Sequence, residues 1–202
     1  MAITTYTELQ TSLANWLSRA DQTANLPDFV ALAEAKFNRE LRTRNMELSA
    51  TITPVERVAA LPSDFLELRR IYINSAVPQE LEYLPPEQFW IQYPAAASNP
   101  LGPSKYYTIE GSNIRLSDNT GTDIVVLYYQ KIPALAANST NWLLTNHPDL
   151  YMAGALAEAY DLIKNEALAA KWTTKMIALM EYIRESDWRG KYSGSAMRVT
   201  SA

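Results

Sequence analysis

The chain has 202 residues, 18 Lys and Arg against 22 Asp and Glu, one His and no Cys, for a formal charge of −4. That length fits one domain, or one domain carrying an insert, and lets the fold bury about 70% of the surface the unfolded chain exposes. Lack of Cys excludes disulfides, thiolate metal sites and cysteine nucleophiles, a lone His excludes multi-histidine metal centres, and mild acidity argues against gripping nucleic acid by charge.

The start, MAITTYTELQ, has neither the basic nor the apolar region of a secretory signal, and no apolar run is long enough for a membrane span. A protein made in a cytoplasm, with no membrane anchor, is expected. The first helix opens on a capping box, Thr5 with Glu8, and Tyr6, Leu9, Leu13, Trp16 and Leu17 form its apolar stripe. A polar break from Arg19 to Asn25 leads to a second helix with Asn25 as cap, Pro27 in its first turn and Phe29, Leu32, Ala33, Phe37 and Leu41 as its stripe. Lys36, Arg39 and Arg42 interleave there with Glu34 and Glu40, a pattern that predicts surface ion pairs.

Residues 49–132 are rich in Val, Ile, Tyr and Thr and hold most of the prolines, so short strands and turns are expected. They comprise a hairpin of 51–53 with 57–61 around Pro54, a strand over 68–73, a short helix from Pro85–Pro86 to Tyr93, a hairpin of 105–109 with 114–117, and a central strand over 123–132. Between Pro94 and Ser104 lies an uncharged proline-rich loop, including Asn99, Pro100, Leu101 and Pro103, long enough to suggest an interaction element.

From Asn146 the pattern is helical again, with His147, Pro148 and Asp149 read as helix-start residues. Leu150–Lys164 is apolar around most of its circumference and predicts a buried central helix. A long helix over 166–189 follows, with Leu168, Trp172, Met176, Leu179 or Met180, and Ile183 inward. Residues 190–202 carry Lys191 and Arg198 with no acid, and Tyr192, Met197 and Val199 as apolar contacts, which reads as an extended basic arm. The expected fold class is therefore α+β: an antiparallel helical bundle of N-terminal (1–48) and C-terminal (136–189) helix pairs, a β-rich insert (49–135) and a flexible C-terminal arm (190–202).

The residues that could carry chemistry point elsewhere. His147 and Asp149 flank a proline at a helix start, without the spacing of a catalytic triad. Asp118–Asp123 lacks the alternating ligands and distal Glu of a calcium loop. Glu80 and Glu82, with Asp64 and Glu67 nearby, read as a solvated strand face rather than an acid–base pair. No phosphate-cradling or nucleophile-elbow motif is present. Tyr106, Tyr107, Tyr128 and Tyr129 could stack bases in a single-stranded nucleic-acid module, but no basic stripe accompanies them. No catalytic, metal or cofactor site is expected, and no cofactor.

The order and spacing of several segments resemble the head-to-tail adaptor proteins of tailed bacteriophages. They are Tyr6-Thr7-Glu8-Leu9 leading to Trp16-Leu17-Ser18-Arg19; Leu26-Pro27-Asp28-Phe29-Val30 followed by Ala33-Glu34-Ala35 and Asn38-Arg39-Glu40-Leu41-Arg42; and Leu61-Pro62-Ser63-Asp64-Phe65-Leu66-Glu67. Tyr106-Tyr107-Thr108-Ile109 follows, then Asn141-Trp142-Leu143-Leu144, His147-Pro148-Asp149-Leu150-Tyr151 and Gly154-Ala155-Leu156. The resemblance implies a non-enzymatic virion protein at the head–tail junction, assembled in the host bacterial cytoplasm. It implies a homo-oligomeric ring, usually of twelve copies, bound to the portal protein on one side and to tail or nozzle proteins on the other, with double-stranded DNA passing through. Lys191, Tyr192, Met197, Arg198 and Val199 would then bind the portal or a neighbouring subunit, and the loop Pro94, Asn99, Pro100, Leu101 and Pro103 a tail partner or neighbour. A charge of −4 per copy, about −48 for twelve, would repel phosphate and let the duplex slide without specific binding. Another tail or head-completion structural protein is the alternative reading.

Overall fold

A computed structural model describes residues 3–94, 104–118 and 122–192. In chain order these form α1 (Tyr6–Leu17), a 3-10 helix (Ala20–Asn25), α2 (Leu26–Glu40), a short 3-10 turn (Arg44–Met46), β1 (Glu47–Ile52), β2 (Val58–Ala60) and β3 (Phe65–Ile73). There follow β4 (Gln79–Glu80), β5 (Glu82–Tyr83), α3 (Pro86–Gln92), β6 (Tyr106–Glu110), β7 (Asn113–Leu116) and β8 (Ile124–Gln130). The chain ends with α4 (Trp142–Asn146), α5 (Pro148–Leu162) and α6 (Glu166–Tyr192). Two compact units result, one from Met1–Asn45 with Ile132–Ala202, the other from Met46–Lys131.

The first unit is organised by α5. Leu150, Tyr151, Ala153, Ala155, Leu156 and Ala159 are completely buried around its circumference, so α1, α2 and α6 each pack on it. α2 comes closest. A Cβ on Gly154 would lie 2.8 Å from Phe37 Cζ and 2.9 Å from Ala33 Cβ, so the crossing requires glycine. α1 starts as its sequence predicts: Thr5 Oγ1 accepts from the Glu8 amide at 3.3 Å, and Glu8 Oε2 accepts from the Thr4 and Thr5 amides at 2.8 and 2.9 Å. Those bonds to Thr4 and Thr5 lower the Glu8 carboxyl to about 2. The stabilisation from this cap is fully present above the ordinary carboxylate pKa and is lost as pH falls from there towards about 2.

The antiparallel helical bundle expected from the sequence is not formed. Among the described residues are six α-helices and two four-stranded sheets; α3 lies in the strand-rich unit, and in the helical unit α1, α2, α4 and α6 all pack on α5, with little contact between α1 and α2. The sequence reading paired helices by chain adjacency, whereas a helix apolar all round recruits several partners at once. The stripes shift accordingly. Leu32 and Trp16, expected in the core, are exposed, while Val30 and Glu34 are buried. The polar break before α2 is a 3-10 helix running into it, and Asn25 makes no side-chain capping bond.

Glu34 replaces an expected surface ion pair with a buried tie. Its Oε1 accepts from the Leu135 amide at 2.9 Å and from the Tyr151 hydroxyl at 3.1 Å. Asn38, one turn on, accepts from the Ile132 amide at 2.8 Å. Asn141 then bonds the Pro133 carbonyl and the Tyr151 hydroxyl, and caps α4 by accepting from the Leu144 amide at 2.8 Å. Burial raises the Glu34 carboxyl above its ordinary value, against the lowering effect of the Leu135 and Tyr151 bonds.

The second unit consists of two sheets, β1-β8-β3-β4 and β2-β7-β6-β5, which share one core. Ile71, Ile73, Ile124, Val126 and Tyr128 come from the first sheet, and Ala59, Tyr107, Ile114 and Leu116 from the second. β8 is central, as its two apolar faces predict. The hairpin expected around Pro54 is different. The turn is Val55–Val58, closed by two backbone bonds of 2.8 and 2.9 Å, and β1 and β2 enter different sheets. Likewise Glu80 and Glu82 do not share a face of one strand, because β4 and β5 belong to different sheets and Leu81 is buried between them.

Two outcomes check this picture. Because the native Glu34 pKa is raised, the folded state binds more protons than the unfolded state, so stability falls as pH rises through the ordinary carboxyl range. Glu34→Gln keeps an acceptor and should abolish that fall, so its thermal midpoint rises relative to wild type between acidic and neutral pH. Glu34→Ala leaves two buried donors unpaired and should lose about 2–4 kcal/mol by chemical denaturation. Gly154→Ala should lose about 1–3 kcal/mol through overpacking against Phe37.

Candidate interaction surface

No cluster of His, Cys, Asp and Glu among the described residues could hold a metal ion. No helix among them is long and apolar enough to cross a membrane. The four tyrosines do not make a stacking platform. Tyr107 and Tyr128 are buried, Tyr106 packs on Tyr93 at 5.9 Å, and the Arg69 guanidinium lies over the Tyr129 ring at 5.4 Å.

The helical unit instead presents a groove. α2 and α6 both lie on α5, and the space between them is lined by Lys36, Arg39, Thr173, Ile177, Met180 and Arg184, with a volume of about 490 Å³. It adjoins a second hollow of about 420 Å³, over Ala157, Glu158 and Asp161 of α5 and Ala169, Ala170 and Thr173 of α6. Lys36 pairs with Glu158, and Arg184 with Glu40 and Glu181, while Asp161 and Arg39 have no ion-pair partner among the described residues. At 100° per residue, Thr173, Ile177, Arg184 and Trp188 fall on one stripe of α6, beside the buried stripe of Trp172, Met176, Met180 and Ile183. Ile177 and Trp188 are exposed there, and Leu32 is exposed on α2. Lys171, Lys175 and Tyr182 lie on the opposite side of α6, where Trp16 of α1 meets Trp172 edge-on at 5.4 Å and Lys175 sits 5.0 Å over the Trp172 ring.

The residues singled out from sequence fall in scattered places. Pro148 is the first residue of α5 and Asp149 accepts from the Leu150 amide at 3.0 Å. His147 is the residue before α5 but makes no side-chain bond to it. Pro94 is exposed after α3, and Asn99, Pro100, Leu101 and Pro103 lie outside the described residues. Lys191 and Tyr192, expected in the arm, are the last two residues of α6, which runs three residues past the expected end; Met197, Arg198 and Val199 lie outside the described residues. Arg44 explains the extra turn. Its Nε meets Asp187 at 3.0 Å, and its guanidinium occupies the space where a Cβ on Gly190 would stand.

Two features escaped the sequence reading. The groove depends on α2 and α6 being held apart by α5, which no local pattern encodes. Glu34 looked like one more charge in a mixed run; its only distinguishing mark is a position between Val30 and Phe37 on the inward face.

No curated protein matches the chain. A family match spans residues 4–200, covering both units. On that match the chain belongs to the SU10 adaptor protein family and is a phage structural adaptor.

Proposed function

We propose that this chain is a head-to-tail adaptor that assembles into a ring, of about twelve copies as in the resembling family, between the portal and the tail components, with duplex DNA passing through it. The observation that carries this reading is the family match over residues 4–200, which runs through the helical unit, the strand-rich unit and the C-terminal segment alike. The net charge of −4 suits a conduit, since phosphate is repelled rather than held.

Neighbouring copies would meet along the α2–α6 groove. The hollow beside it holds Asp161, which has no ion-pair partner among the described residues, and Ile177 is exposed on the groove itself. The far side of α6 offers Lys171, Lys175 and Tyr182, so a head-to-tail contact between copies would set a basic aromatic flank against the hollow that holds Glu158 and Asp161. Residues 193–202, with Arg198 flanked by Met197 and Val199, would supply the contact with the portal or with the next copy.

Mixed with its portal, the protein should co-sediment as a large ring-shaped complex visible by electron microscopy; a failure to associate under any salt condition overturns the adaptor assignment. Removal of residues 193–202 should abolish portal association while leaving the circular dichroism spectrum unchanged, because the described helices end at Tyr192. Ile177→Asp should likewise keep the fold, its side chain being exposed, and weaken self-association at least about tenfold, the effect of an unpaired charge in an apolar contact.

A further inference from the structure

The outer face of the second sheet in the strand-rich unit is unexpectedly polar. Register sets Thr108 of β6 opposite Arg115 of β7, with Glu110 two residues along on the same face. Thr108 is fully buried and its hydroxyl has no hydrogen-bond partner; Arg115 Nε is buried and has none either, the Glu110 carboxylate lying 3.5 Å away. α3 covers this face with Phe89 and Trp90. The Arg115 guanidinium sits 5.8 Å from the Trp90 ring, and the Trp90 indole N–H donates to Glu110.

A second guanidinium reaches the same place from the Val55–Val58 turn. Arg57 Nε donates to the Leu116 carbonyl at 3.0 Å and Nη2 reaches the Tyr93 carbonyl at 3.5 Å, but no carboxylate among the described residues pairs with it. Holding Arg57 there is costly. Glu56 and Arg57 have φ of 48° and 72°, the left-handed pair that a two-residue hairpin turn fills with Asn-Gly at little strain. Glu and Arg side chains are strained in that region of φ. The Leu116 amide donating to the Arg57 carbonyl at 2.9 Å helps fix the strained turn.

Glu56, Arg57, Phe89, Trp90, Arg115 and Leu116 enclose a notch of about 60 Å³, open to solvent and with room for a carboxylate group. Two half-buried guanidiniums with incomplete pairing beside an open notch form an arrangement that an anion completes, and a planar carboxylate can accept from both. The flanks are apolar: Val55, next to Glu56, is 71% exposed, and Ile91, next to Trp90, is 82% exposed. We propose that the notch is a socket for an Asp or Glu side chain of a protein partner, seated between Arg57 and Arg115, with Val55 and Ile91 covering the apolar residues beside it. This reading concerns the strand-rich unit alone and does not depend on ring formation or on the portal contact.

The test is a titration of the full chain followed by ¹H–¹⁵N NMR at the Arg57 and Arg115 Nε–H and the Trp90 indole N–H. Acetate and the peptide acetyl-Leu-Glu-Leu-amide should each shift all three signals saturably with a common midpoint, the peptide binding more tightly. The matched acetyl-Leu-Gln-Leu-amide should shift none. Arg115→Gln and Arg57→Gln should each weaken peptide binding at least about tenfold, the loss expected for a hydrogen bond to a charged group. Val55→Ser and Ile91→Ser, both at exposed positions, should weaken the peptide and leave acetate unchanged. Saturable shifts with inorganic phosphate alone, or no saturable shift with any of these probes, overturn the proposal. Should either arginine variant fail to fold, the wild-type titrations and the two serine variants still decide.

Discussion

The hold of α2 on the returning chain is the contact on which the helical unit depends. Glu34 and Asn38, one turn apart, accept the amides of Leu135 and Ile132, and Asn141 continues the network to Pro133, Tyr151 and the start of α4. Residues 132–141 have no strand or helix of their own, so their backbone donors need other acceptors, side chains among them. A carboxylate is an expensive choice for a buried acceptor. It persists because it takes two donors at one oxygen while Tyr151 stands directly over α2, its ring edge-on to Phe37 at 5.3 Å.

What a structural adaptor contributes lies in its surfaces and in what holds them rigid. α5 supplies the rigidity in the helical unit, with small residues at Ala153, Gly154, Ala155, Ala157 and Ala159 that let neighbouring helices approach closely. In the strand-rich unit, rigidity comes from a core shared by two sheets, and the polar groups are displaced outward beneath α3. Each unit thus pairs a tightly packed interior with one imperfectly satisfied face.

Much of this was legible in the sequence, for identifiable reasons. The capping box of α1, the buried character of α5, the β6–β7 hairpin and the central position of β8 all rest on local spacing or composition, and the structure agrees with each. What failed required knowing partners. Trp16 lies within the period of the α1 stripe, yet it is 59% exposed because Trp172 offers only its edge. Leu32 matches the period of α2 but is exposed, while Glu34 breaks the pattern and is buried because two donors await it. The strained turn at Glu56–Arg57 was invisible because its residues are the opposite of those the turn type prefers; only Arg57's carbonyl partners, distant in sequence, account for it. The candidate surfaces share that property: none is made by one segment.

The pairing of β1 with β8 has a kinetic consequence. Glu47 lies opposite Tyr129, so the first and last strands of the strand-rich unit bring its entry and exit points side by side. The contact between Glu34 and Leu135 closes a loop of 101 residues, which a flexible chain would find slowly and at a substantial entropic penalty. If Met46–Lys131 folds first, that loop is already closed and the two parts of the helical unit meet as though joined by a short tether. The strand-rich unit then acts during synthesis as an internal template for its neighbour, and the helical unit completes only after its C-terminal half has emerged.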